Sequence, residues 1–115
     1  MKLLKKITLF TLVFLSFSAS ADSFCTGKIK QLAIGRSGTV LIAGPGGLPS
    51  TYLCNVNSKN NNVATEACKA IYSQLLAAQA QDKVVNITFN PAIESCSKVK
   101  SWGWATGFNW VIVND

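Results

Sequence analysis

The chain has 115 residues, with 11 Lys and Arg against five Asp and Glu, no histidine, and a formal net charge of +6. That length holds one domain, and a chain without histidine lacks the commonest general base and a common zinc ligand. Lys2, Lys5 and Lys6 are three of the eleven cations, so eight cations and five acids remain beyond them, a scattered net +3 that gives little footing for a nucleic-acid or membrane surface.

The three early lysines precede an apolar run from Ile7 to Phe17, broken only by Thr8, Thr11 and Ser16. Ala19-Ser20-Ala21 then offers a small-x-small site before Asp22. This is the three-part pattern of a cleaved signal peptide. It places the signal at residues 1–21 and one mature domain at 22–115, periplasmic or secreted. The apolar run is about half of what a helix needs to span a bilayer. No second long run follows, so no membrane span is expected after cleavage.

Along the mature chain, Gly27 to Ile34 reads as a first strand, and Gly35-Arg36-Ser37-Gly38 as a tight turn. Thr39 to Ala43 is the second strand and completes a hairpin. Gly44-Pro45-Gly46-Gly47 interrupts regular structure, and no Gly-Lys-Ser/Thr follows to make it a phosphate loop. Thr51 to Val56 is a third strand, expected to share one face among Tyr52, Cys54 and Val56. Residues 55–62 hold five asparagines and read as a polar connection. Thr65 is the expected N-cap of a helix, with Glu66 in its first turn, where an acid suits the dipole. Cys68, Ile71, Leu75 and Ala78 recur at spacings of three and four, the apolar stripe of an amphipathic helix reaching about Gln81.

Val84 to Phe89 alternates with period two and reads as the fourth strand, with Val85, Ile87 and Phe89 on one face. Pro91 to Ser101 is loop-like and carries Cys96. Phe108 to Val113 is the last strand; Phe108, Trp110 and Ile112 are expected to share a face, which would put Trp110 in the core. The chain is thus mainly β with one α-helix, in the order β-β-β-α-β-β. That is the order of a five-stranded OB-fold barrel. An open two-layer sheet crossed by the helix fits the same string.

Cys25, Cys54, Cys68 and Cys96 are an even set in a small exported domain and read as two disulfides, with three connectivities open. No CxxC spacing occurs, so neither metal nor cofactor is expected. The five acids are scattered and the thiols are expected to be oxidised, so no catalytic residues are assigned and the chain reads as a non-enzyme. Asn86-Ile87-Thr88 matches a glycosylation acceptor, but it lies inside a strand and reads as chance. The feature that stands out is Trp102-Gly103-Trp104 beside Lys98 and Lys100. Two tryptophans in the connection between the last strands form a candidate platform for a sugar ring or a partner protein, and the two lysines favour an acidic ligand. The other reading is that the rings cap an open end of the barrel.

The run from Cys68 to Ile87, with Cys54 before it, Cys96 after it and an apolar last strand, resembles a group of small exported bacterial proteins. More distantly, with Lys28 to Gly35 as first strand, the chain resembles the B subunits of subtilase-type and typhoid-type AB5 toxins. The resemblance implies a pentameric OB-fold that binds sialylated glycans. Where those subunits place a serine that helps to hold the sugar, this chain has Cys25, so no binding residue carries over. The same pattern implies a Cys54–Cys96 bridge, leaving Cys25–Cys68; the alternative is a local Cys54–Cys68 bridge with Cys25–Cys96. The expected function is an exported non-enzymatic binding module, glycan-binding and homo-oligomeric (a pentamer). The alternative is a small periplasmic protein that binds or inhibits an envelope protein. Single-stranded nucleic-acid binding suits the fold but neither the compartment nor the charge, so no nucleic-acid partner is expected.

Overall fold

Apolar alternation put three strands where they form: β3 (Thr39–Ala43), β5 (Val84–Phe89) and β6 (Phe108–Val113). The structure is a computed structural model that describes residues 22–114; the expected signal peptide lies outside them. The expected first strand is two strands, β1 (Ser23–Lys28) and β2 (Gln31–Ile34), separated by Ile29 and Lys30. β4 covers Thr51–Asn55. Among the described residues one α-helix, α1, covers Thr65–Ala80, and short 3₁₀ turns lie at Pro45–Gly47 and Cys96–Lys98.

The strands form two three-stranded antiparallel sheets, ordered β1-β5-β6 and β2-β3-β4. Neither sheet closes into a barrel. The break after β1 lets consecutive strands serve different sheets. Between the sheets lie Val40, Ile42, Leu53, Val85, Ile87 and Phe89, all without exposure. Each such side chain contributes roughly 1.5–3 kcal/mol on leaving water. α1 packs on β4 and β6, one strand of each sheet, through Cys68, Leu75 and Ala78, the buried part of the expected stripe. Thr65 is not its N-cap. Ala64 occupies that position, without a side-chain cap.

Two β-bulges break the alternation that the sequence implied. Between β5 and β6 the register moves by one residue, so Phe89 faces Phe108 but Ile87 faces Val111. Asn109 and Trp110 together stand opposite Thr88, whose Oγ1 accepts a hydrogen bond from the Trp110 N–H at 3.0 Å. A one-residue slip exchanges the faces of a strand. Phe108 therefore enters the core, while Trp110 is 61 % exposed, contrary to the expectation that they share a face. The second bulge lies between β3 and β4: Val40 faces Cys54, but Leu41 faces Tyr52. Leu53 and Cys54 both enter the core, and Tyr52 is turned to the outside, away from Cys54.

The disulfides are Cys25–Cys96 and Cys54–Cys68, which corrects the pairing implied by the resemblance. Cys54 lies next to the end of β4 and Cys68 sits in the first turns of α1, so the asparagine-rich connection returns the chain to its start. Cys25 lies on β1 beside β5, and the connection leaving β5 carries Cys96 back to it. The Gly44–Gly47 segment has a packing role. A Cβ on Gly44 would lie 2.5 Å from the Lys30 nitrogen, and one on Gly46 would lie 2.8 Å from the Cys25 Cα.

Candidate functional site

The connection from β5 to β6 returns along the free side of β4. Its residues 102–105 run parallel to that strand: Tyr52 N–H donates to Gly103 O at 2.8 Å, and Ala105 N–H to Tyr52 O at 2.9 Å. Trp102 N–H donates to Ser50 O at 2.7 Å, and the buried Thr51 hydroxyl donates to Gly103 O at 3.0 Å. Asn61 Nδ2 ties the two segments from behind, donating to Leu53 O at 2.9 Å and Ala105 O at 3.0 Å. This ladder over-determines the backbone at Trp102, which is held at φ 54°. That region costs a bulky residue about 1–3 kcal/mol and persists only where the surroundings impose it.

The consequence is an exposed ring. Trp102 is 63 % exposed and meets Tyr52 edge to face, with centroids 6.3 Å apart. Trp104 is half-buried and meets the same tyrosine at 5.5 Å. Tyr52, turned outward by its bulge, thus stands between the two tryptophans. Trp102 and Tyr52 form one wall of a cleft of about 320 Å³ on the outer face of β2-β3-β4. Gln31, Ala33 and Ile34 of β2 and Thr39 and Leu41 of β3 line the floor, and the turn residues Gly35 and Ser37 close one end.

Asparagines hold that turn. Asn55 Nδ2 donates to Ser37 O at 3.2 Å and Thr39 Oγ1 at 3.1 Å, and Asn57 Nδ2 donates to Ser37 O at 3.1 Å. Asn55 Oδ1 accepts from the N–H groups of Asn57 and Ser58, an Asx turn. The asparagine-rich connection is therefore a brace for the cleft as well as a link.

Of the four residues expected at the site, only Trp102 lines the cleft, and Trp104 supports it through Tyr52. Lys98 is ion-paired with Glu94 at 3.2 Å. Lys100 lays its aliphatic stem over Gly103, where an added Cβ would come within 2.5 Å of it. Neither lysine belongs to the lining. Tyr52, Gln31, Ser37 and Thr39 escaped the sequence reading; they lie on strands and a turn that only the tertiary fold brings under Trp102.

A second exposed aromatic surface lies on the other sheet. Phe24 of β1 stands opposite Thr88, and Trp110 flanks the same threonine from β6; they are 57 % and 61 % exposed, with Ile112 nearby on β6.

The described residues thus form a disulfide-bonded, two-sheet β domain with one helix and an aromatic cleft. Compared with protein-family models, curated proteins and solved structures, the chain matches none.

Proposed function

We propose that the protein is an exported, non-enzymatic binding module that recognises a glycan at the Tyr52–Trp102 cleft. The observation that carries this reading is Trp102: an exposed ring at an unfavourable backbone angle, over a cleft with hydroxyl and amide groups. The exposed ring costs solubility and the backbone angle costs strain, and a ligand surface accounts for both. The acids support a non-catalytic role, since Glu66, Asp82 and Glu94 form exposed ion pairs with Lys69, Lys28 and Lys98. All four thiols are oxidised.

An OB-like ancestry and the likeness to toxin B subunits are part of the same proposal. β1 and β2 together count as one bent strand shared by both sheets, which restores the five-strand order, and the parallel bridge from Tyr52 to Trp104 links the two halves. In this reading the domain works as a ring-forming homo-oligomer. The Phe24–Trp110–Ile112 surface favours a second reading, an envelope protein as partner. A glycan array probed with the wild type and Trp102→Ala, beside a light-scattering mass, tests the first. Glycan signals lost in the variant support it. An array without signals, with an envelope protein captured in a Trp110-dependent complex, replaces it with the second.

A further inference from the structure

The walls of the cleft narrow the ligand class, an inference that rests on the glycan reading above. Its apolar surface comes from Ala33, Ile34, Leu41 and the two rings, and its polar surface from Gln31, Ser37 and Thr39. None of these side chains is charged. Lys98, paired with Glu94, and Lys100, whose stem lies over Gly103, are outside the lining, and so is Arg36, which is exposed in the turn between Gly35 and Ser37. A carboxylate entering this cleft would give up hydration without a cation in the walls to replace it.

The polar groups that are present suit hydroxyls instead. Thr39 Oγ1 already accepts from Asn55, so its proton is left to donate outward. Gln31 Oε1 accepts from Ser50 Oγ at 2.8 Å, which leaves its amide nitrogen as a donor. Ser37 adds a hydroxyl that both donates and accepts. Sugar hydroxyls do the same, so such a set can be satisfied pairwise. Trp102 offers a flat apolar face for the C–H side of a ring. A volume of about 320 Å³ is at the small end for ligand sites and suits one terminal sugar.

We infer that the cleft binds a neutral terminal pyranose, stacked on Trp102 and hydrogen-bonded by Gln31, Ser37 and Thr39, and that it discriminates against sugar acids. The test titrates the protein with the methyl pyranosides of glucose, galactose, mannose and N-acetylglucosamine, and with methyl sialoside. Amide and indole NMR shifts report where each binds. At least one neutral glycoside should shift the cleft residues, with an affinity insensitive to added salt and to Arg36→Ala. Trp102→Ala should weaken it by about tenfold or more, Gln31→Ala several-fold, and Trp102→Phe less than Trp102→Ala. Preferred binding of the sialoside at the cleft, weakened by salt or by Arg36→Ala, overturns the neutral ligand but leaves the glycan reading standing. Binding that Trp102→Ala leaves unchanged overturns the proposal, and cleft signals unmoved by every glycoside overturn both.

Discussion

Phe108→Lys and Trp110→Lys should have opposite fates, although strand alternation puts both residues on one face. The bulge opposite Thr88 separates them: Phe108 is 9 % exposed inside the core, and Trp110 is 61 % exposed outside it. With roughly 40 % of a tryptophan surface buried, Trp110 covers about 100 Å² of apolar area, or about 2.5 kcal/mol at most. A lysine stem at the same place re-covers part of it. The net loss should be about 1–2 kcal/mol, or roughly 4–8 °C in melting temperature for each kcal/mol. Phe108→Lys instead forces an unpaired charge into the core and removes a large ring, a loss of about 4 kcal/mol or more, which a domain of this size survives poorly. Urea denaturation followed by circular dichroism measures both. Equal losses, or an unfolded Trp110→Lys, would show that the bulge is misplaced and the register reasoning wrong.

Non-reducing peptide mapping should recover a Cys54–Cys68 linked peptide and a Cys25–Cys96 linked peptide. Removing either bridge by paired alanine substitution should cost about 2–4 kcal/mol in thermal or urea denaturation. Gly44→Ala should lose roughly 2 kcal/mol or more in denaturant titration, because its Cβ meets the backbone of Lys28 and Lys30 at φ 125°. Gly103→Ala should stay within about 1 kcal/mol, since only the movable Lys100 stem stands in the way. Asn61→Ala should lose about 1–3 kcal/mol, because the Leu53 and Ala105 carbonyls lose a shared donor. It should also weaken glycoside binding in the same titration, although Asn61 does not line the cleft.

Much of the fold was legible because it follows from local periodicity. Val85, Ile87 and Phe89 alternate without interruption and are buried as expected, and the Cys68–Ala78 stripe orients the helix. Among the strand faces, what failed was whatever depends on one extra residue in a strand pair. Nothing in Thr51 to Asn55 or in Phe108 to Val113 marks a bulge, yet the two bulges decide that Tyr52 and Trp110 face outward. The cysteine pairing failed for a related reason: it depends on how the long connections return, which spacing does not encode. The site was half legible. Trp102-Gly103-Trp104 stood out by composition, and the structure gives its first tryptophan a cleft wall. The lysines drew attention by proximity in sequence; Lys98 pairs with Glu94, Lys100 lays its stem over Gly103, and neither enters the lining. The polar lining of the cleft comes from Gln31, Ser37 and Thr39, ordinary strand and turn residues that become a site only once Asn55 and Asn57 fix the turn.

The central claim is that Trp102 serves recognition and not packing, and one paired measurement on Trp102→Ala addresses it. Trp102 buries a little over a third of its surface, roughly 90 Å², so truncation should cost no more than about 2–2.5 kcal/mol. Melting temperature and glycan-array binding are read on the same preparation. The account predicts a modest fall in melting temperature together with loss of the glycan signal. A fall matching the roughly 3–5 kcal/mol of a core tryptophan, or an array signal equal to that of the wild type, would contradict it.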